Sequence, residues 1–336
     1  MVTGGAGYVG SAAVEALVDA GHRVAVFDNL STGHLEVLDQ RSVELIRGDL
    51  ADRATIEKAL RSFSANAVIH VAGSIQAGES MIDPGKYYRN NVVNSINLLD
   101  AMIASGVKRF VFSSSAGVYG NPVRVPIVED DPVNPVNTYG ETKLAIERAA
   151  SWYGIGYGLR SIFLRYFNAA GATDRLGENH EPETHVIPLV LRVALGQAER
   201  FSVFGTDYPT PDGTVIRDFV HLADLAQAHV LALAATDDRH VVNAEVGGRT
   251  SLARAFNLGS GSGFSVLQVV EASRRVTGHP IPTVELPRRP GDPAVLVADS
   301  RRAIDVLGWR PRYKDIDAIV ASAWAWHQKH PHGYHR

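Results

Sequence analysis

The stretch Thr3-Gly4-Gly5-Ala6-Gly7-Tyr8-Val9-Gly10 constrains this chain more than any other. Glycines at 4, 7 and 10 lie between a short β-branched run and a helix-like stretch from Val9 to Ala20. Such a loop turns a strand tightly into a helix and lets a pyrophosphate approach the backbone, where it rests on the positive helix N-terminus. The spacing is G-x-x-G-x-x-G rather than the commoner G-x-G-x-x-G, but the physics is the same. Gly4, Gly7 and Gly10 are therefore candidate cofactor residues. Only Met1 to Thr3 precede Gly4, so the first strand is two or three residues long, shorter than the usual ~5–6.

The remainder of the first half fits such a loop. Val24–Phe27, Val43–Ile46, Ala67–Val71, Arg109–Ser113 and Ser161–Leu164 read as strands. Helical stretches alternate with them near Val9–Ala20, Ala54–Ser62, Pro84–Ser105 and Tyr139–Tyr153. Asp83 as N-cap, Pro84 at the first helical position and Gly106 past the end punctuate the third helix. Alternating β and α elements imply parallel strands with right-handed crossovers, hence an α/β, doubly wound sheet. Asp28 falls at the end of the second strand. A carboxylate there accepts hydrogen bonds from both ribose hydroxyls and repels a 2′-phosphate. No Arg or Lys lies within Asn29–Leu38, so the expected cofactor is NAD rather than NADP.

After Asn168 the texture changes. Ala169–Pro182 is loop-like, a helix is expected at Thr184–Gly196, and short strands with Pro and Gly turns fill Phe201–Asp218. A helix follows near Ala223–Ala235, and others start near Ser265, Ser300 and after Asp315. Arg239–Thr250 reads as a surface insertion, and the His-rich end, His327–Arg336, as a solvated tail rather than a metal site.

Composition narrows the function classes. The chain has 336 residues, 45% hydrophobic and 21% charged, with no cysteine. That is a globular chain of about two domains, or one domain with a lobe. It lacks a disulfide framework, Cys-ligated zinc and a thiol nucleophile, and no metal is expected. With 33 basic against 36 acidic side chains, neither nucleic acid nor a membrane surface is an expected partner. No run approaches the ~18 apolar residues of a spanning helix. Met1-Val2-Thr3-Gly4-Gly5 has no basic or apolar signal region, so a cytoplasmic location is expected.

Tyr139-Gly140-Glu141-Thr142-Lys143 places a phenol and an ammonium at i and i+4, on one helix face. A nearby cation stabilises tyrosinate and lowers a phenol pKa that starts near 10, and a positive nicotinamide would lower it further. Tyr139 is then a general base or acid at neutral pH. Ser113-Ser114-Ser115 ends a strand upstream, on the side where an open α/β sheet binds its ligand. A hydroxyl there can hydrogen-bond the oxygen that Tyr139 deprotonates.

These residues and several finer blocks resemble the UDP-glucose 4-epimerase family, within the extended short-chain dehydrogenase/reductases. The blocks are Asp28-Asn29-Leu30, Gly48-Asp49-Leu50, Gly78-Glu79-Ser80, Ser113 to Gly120, Leu164 to Asn168, Phe204 to Thr210 and Arg217-Asp218-Phe219-Val220-His221. The likeness runs from about Val2 to Tyr334. It implies a Rossmann-type NAD-binding domain over 1–167 and a smaller C-terminal nucleotide-sugar-binding lobe over 168–336, with segments of the second returning to the first. It implies catalysis by Ser115, Tyr139 and Lys143. It implies NAD contacts at Gly7, Tyr8, Val9, Asp28, Asn29, Asp49, Leu50, Asn90, Lys143 and Tyr166. The UDP-sugar would lie against Ser115, Asn168, Val186, Phe204, Arg217, Arg289, Asp292 and Leu296. Arg217 and Arg289 suit a diphosphate, and Phe204 suits the uracil ring. A homodimer through the long helices is expected by the same likeness.

Three positions depart from the family pattern. Gly117 stands where Thr is common, Ser74-Ile75 where a basic residue often lies, and Leu296 where some relatives carry Tyr. The smaller Leu296 leaves room for an N-acetyl group. The expected reaction interconverts UDP-galactose and UDP-glucose through transient oxidation at C4. An epimerase of UDP-N-acetylglucosamine or UDP-glucuronate is the alternative, and a non-catalytic NAD sensor a more remote one. A 4,6-dehydratase is disfavoured because Ser115-Ala116-Gly117 replaces the Thr-Asp-Glu of those relatives.

Overall fold

A computed structural model describes residues 1–38, 43–289 and 291–334. Its central sheet is built from β1 (Val2–Thr3), β2 (Ala25–Asp28), β3 (Glu44–Arg47), β4 (Val68–His70), β5 (Arg109–Ser115) and β6 (Arg160–Tyr166). Two later strands, β10 (Asn243–Val246) and β11 (Arg249–Leu258), complete it. The order is β10-β11-β6-β5-β4-β1-β2-β3. Every pair is parallel except β10 with β11. The order reverses between β1 and β4, which opens a crevice at the carboxyl ends of the strands.

Both faces of this sheet are apolar, as a parallel sheet with helices on each side requires. The two-residue period of a strand sends alternate side chains to opposite faces. Val26, Ile69, Val111 and Ile162 face one core, with α1 (Tyr8–Asp19) and α8 (Leu222–Ala235). Phe27, Val68, Phe110, Phe112 and Phe163 face the other. That side is covered by α2 (Arg53–Ser62), α5 (Asn94–Ala104) and α6 (Thr138–Tyr157). The short β1 still pairs on both sides, Val2 with Val26 and Ile69. Ile69 N also donates to Met1 O at 3.0 Å, so pairing runs one residue beyond the strand.

The helix expected at Pro84–Ser105 begins as α4 (Pro84–Tyr87), following the short α3 (Ala77–Ile82), passes through a π turn at Tyr88–Val93, and continues as α5. The Asp83 carboxylate caps it by accepting from Lys86 N.

The second half builds a smaller group of elements. β9 (Ile216–His221) lies beside β7 (Asn168–Ala170), β12 (Gly263–Ser265) and β14 (Val295–Leu296). β8 (Phe201–Phe204) pairs with β13 (Thr283–Leu286). α7 (Val186–Ala194), α10 (Val266–Thr277) and α12 (Ile316–Lys329) pack there around Ile187, Leu191, Val269 and Ile319. The short α11 (Arg301–Leu307) covers the other core with Ala303 and Leu307.

Two expectations are corrected. Arg239–Thr250 is not a surface insertion: α9 (Arg239–Val242) buries Val242 completely, and the chain runs on into the central sheet. Its exposed Arg, Glu and Gly residues hid an edge hairpin whose second strand pairs with β6. Nor is the end a solvated tail. The His330 ring stacks on Trp326, with centroids 4.6 Å apart, and Tyr334 exchanges hydrogen bonds with Gly177 N and O. His335 and Arg336 lie outside the described residues. No described helix is long and apolar enough to cross a membrane.

Candidate active site

The glycine loop joins β1 to α1 at the carboxyl edge. Gly4 has φ +71°, and Gly10 lies so close to the loop that a Cβ on it would stand 2.0 Å from Gly4 O. That contact fixes the turn and admits only glycine. Gly7 is different: its Cβ would meet only Gly4 O, at 3.4 Å, so its outer side is open. Gly7 is also the N-cap of α1 and offers no side-chain cap, which leaves amides at Tyr8 and Val9 free to face an anion. A diphosphate cofactor therefore fits this cradle.

Asp28 ends β2 and is buried. Its carboxylate accepts from Ala6 N at 2.9 Å and Leu30 N at 2.8 Å, which ties the glycine loop to the strand end. Each oxygen keeps a lone pair for a ribose hydroxyl. Asn29 donates to Asp49 at 2.9 Å, so these two candidates form one rim. Leu50 turns its side chain into the core and leaves only its backbone to the rim. Asn90, on the π turn, donates to Ser74 Oγ at 2.8 Å.

Ser115 and Tyr166 are paired in register at the ends of β5 and β6. Tyr139 lies in the first turn of α6, which Asn137 caps by accepting from Gly140 N at 2.9 Å. Ser80 Oγ accepts from Tyr139 N at 3.0 Å, which explains the Gly78-Glu79-Ser80 block as a support for this helix start. Ser115 Oγ and the Tyr139 ring converge on Gly117, where an added Cβ would stand 3.3 Å from the one and 3.6 Å from the other, and Ser115 Oγ accepts from Gly117 N at 3.0 Å. Lys143 is buried, only 3% exposed, and donates to Ser113 O at 2.9 Å.

The electrostatics differ from expectation in one respect. Burial pushes the Tyr139 phenol up, and the nearby Ser115 hydroxyl opposes the rise. Lys143 approaches the Tyr139 ring without a hydrogen bond to it. Its ammonium is 5.8 Å from the Tyr139 ring centre, is held by a carbonyl, and is itself lowered to about 8 by burial.

The sugar-side candidates come from separate strands. Arg217 on β9 is in register with Leu296 on β14, and Asn168 on β7 with Phe219. Arg217 forms an ion pair with Asp292, and the charge of Asp292 also reaches Arg289. The Arg-Asp block alternates as a strand should: Arg217 turns towards Asp292 while Asp218 is fully buried. Asp218 accepts from Ser260 N and Oγ, Gly261 N and Ala298 N. The Arg289 guanidinium lies 4.0 Å over the Phe204 ring, so one face of that ring is already covered. Val186 begins α7.

Sequence reading missed the supports beneath these residues. Thr3 Oγ1, His70 and Ser95 Oγ form a buried chain with 2.7 and 2.8 Å links under the glycine loop. Glu147 pairs with Arg165 at 2.6 Å and accepts from Ser114 Oγ at 2.5 Å. A further cluster, Glu178, His180, Glu183 and His185, was also unanticipated. Its signal is the spacing E-x-H-x-x-E-x-H within one loop.

A nucleotide cradle at a sheet switch point, facing a Ser-Tyr-Lys group, defines an extended short-chain dehydrogenase/reductase. Residues 1–245 match the NAD dependent epimerase/dehydratase family. The chain is 49% identical to UDP-glucose 4-epimerase of Halalkalibacterium halodurans, over 99% of this chain and 97% of that one. A crystal structure of a UDP-glucose 4-epimerase superposes with TM-score 0.92 at 47% identity, covering 100% of this chain and 99% of the other. The Brucella ovis UDP-glucose 4-epimerase, solved in complex with NAD, superposes with TM-score 0.89 at 42% identity over 96% of each chain. The chain belongs to the UDP-glucose 4-epimerase family.

Proposed function

We propose that this protein is an NAD-dependent isomerase that interconverts UDP-galactose and UDP-glucose, with Ser115, Tyr139 and Lys143 as its catalytic residues. The observation that carries the reading is the convergence of Ser115 Oγ and the Tyr139 ring beside Gly117, with buried Lys143 Nζ 5.8 Å from that ring's centre, at the carboxyl edge of a sheet of this family. Tyr139 takes the proton of the sugar 4-hydroxyl and later returns it. Ser115 hydrogen-bonds the same oxygen and fixes the phenol's direction. Bound NAD supplies the acceptor that takes the C4 hydride and gives it back, and the positive charge that favours the Tyr139 phenolate. Lys143 holds the nicotinamide ribose. Gly4, Gly7, Tyr8, Val9 and Gly10 cradle the diphosphate, and Asp28 and Asn29 the adenosine ribose. Asp49, Leu50, Asn90 and Tyr166 complete the contacts.

Inversion requires hydride return to the opposite face, so the sugar must turn while UDP stays put. Arg217 and Arg289 grip the diphosphate, with Asp292 between them to orient the guanidinium groups. Phe204, Asn168 and Val186 line the nucleotide side. Binding energy spent there positions a loosely held sugar. Leu296 favours a second activity on UDP-N-acetyl sugars. We extend the proposal to a cytoplasmic homodimer, supported by exposed Tyr88, Val93, Trp152 and Tyr157 on the long helices.

The test uses purified protein and UDP-galactose with no added NAD, with UDP-N-acetylgalactosamine in parallel. Conversion to UDP-glucose is the expected result. No conversion even with NAD supplied would move the assignment to another nucleotide-sugar or to the sensor.

A further inference from the structure

The loop between β7 and α7 carries a constellation that the Ser115–Tyr139–Lys143 site does not use. Glu178, His180, Glu183 and His185 each offer one oxygen or nitrogen, and these atoms lie within 4.8 Å of one another. The two carboxylate side chains are only 6% and 1% exposed. Both imidazoles present Nδ1 to them. His185 Nδ1 is 2.8 Å from Glu178 Oε1 and 2.9 Å from Glu183 Oε1. His180 Nδ1 is 3.3 Å from Glu178 Oε1 and 3.7 Å from Glu183 Oε2. It is buried yet has no partner at hydrogen-bonding geometry.

The protein alone satisfies these groups poorly. His185 Nδ1 divides one N–H between two carboxylate oxygens, and His180 Nδ1 reaches neither well. Glu183 cannot swing away, because Thr184 N and His185 N hold its Oε1 at 2.7 and 2.8 Å. A single cation at the common centre would be met by all four atoms at once. A tetrahedral ion with bonds of about 2.0–2.2 Å needs donors roughly 3.3–3.6 Å apart, and the separations above bracket that range. Two carboxylates supply the charge a divalent ion needs, and the imidazoles bind it as neutral ligands. Two nitrogens with two oxygens, and no sulfur, favour zinc or a neighbouring first-row ion over magnesium or calcium.

We propose that Glu178, His180, Glu183 and His185 form a structural site for one divalent transition-metal ion, zinc in the first instance. Four protein ligands close the coordination sphere, which leaves no position for chemistry. The ion would fasten the loop to the two parts of the molecule that flank it. On one side the Tyr8 ring stands edge-on to His180 at 6.1 Å and its hydroxyl donates to Gly171 O at 2.6 Å. Gly7, Tyr8, Asn179 and His180 also line one cavity of about 40 Å³. On the other side His185 is the N-cap of α7. The site therefore holds the glycine loop and the start of α7 in one frame.

The test loads untagged protein with Zn²⁺, dialyses it against metal-free buffer and counts metal by mass spectrometry. About one zinc per chain should remain. Glu183→Gln and His180→Gln should lose it, while His332→Ala, on the exposed end, should keep it. Zinc absent from the dialysed wild type, or retained undiminished in both site variants, overturns the proposal. Because a variant can fail to fold, Co²⁺ replaces Zn²⁺ in the intact protein as a second measurement. Intense visible bands of tetrahedral cobalt support the site, and only the weak bands of the hydrated ion contradict it.

Discussion

The proposed cofactor side and the proposed sugar side of this molecule are encoded differently. The cradle is contiguous: Gly4 to Gly10 make one turn, and Tyr139 and Lys143 share one helix face. The sugar side is assembled from β7, β9 and β14, so that Arg217 meets Leu296 only through sheet register. Most of the proposed chemistry sits on two local units, the glycine turn and the start of α6, with Ser115 added from the end of β5. Grip on a long nucleotide can be spread over strands brought together by the fold. That division predicts that damage to the two sides will read out in different parameters.

Tyr139→Phe should have the largest effect. Turnover of UDP-galactose should fall about 10³-fold while bound NAD stays at the wild-type level, as absorbance and cofactor extraction would report. Undiminished turnover would remove Tyr139 from the mechanism. Gly10→Ala strikes the same side through the backbone. A Cβ 2.0 Å from Gly4 O cannot be accommodated by a side-chain move, so a loss of about 3 kcal/mol is expected in urea unfolding, with NAD lost on gel filtration. Gly7→Ala, with open space, should lose NAD yet unfold at the same urea midpoint as the NAD-free wild type.

A third prediction compares buried histidines under the two sides. Burial lowers His70, beneath the glycine loop, to about 3, and His221, stacked on Tyr313 beneath the sugar side, to about 4. Both stay neutral in the folded chain, while the unfolded chain takes up protons below about 6.5. The stability they contribute is thus present above pH 6.5 and is lost as pH falls towards 4. Between pH 6.5 and 5 each should cost about 2 kcal/mol. Urea midpoints at the two pH values, with His70→Asn flattening the dependence, would check it. Leu296→Tyr should be mildest. The preference for UDP-N-acetylgalactosamine over UDP-galactose should fall about tenfold, a modest change typical of apolar pocket walls.

The same division governs what could be read in the sequence. The parallel sheet was legible because its β-branched and aromatic runs alternate with helices, and because Gly, Asp28 and the Tyr-Lys pair are local signals. β11 was not, since Arg249 to Leu258 belongs to the sheet only through pairing with β6, eighty or more residues earlier in the chain. The pairing of Arg217 with Asp292 was likewise invisible, because register between distant strands leaves no trace in spacing. The raised Tyr139 phenol was missed for a different reason. The i, i+4 rule places Lys143 on the correct face, but does not tell how deep it is buried or that its ammonium donates to Ser113 O.

Arg217→Ala tests the division of labour most directly, with kcat, KM and bound NAD measured on one preparation. The account predicts a KM for UDP-galactose raised about 10- to 100-fold, from loss of a charge-assisted contact, with kcat and NAD content close to wild type. A fall in kcat at unchanged KM, or loss of NAD, would contradict it.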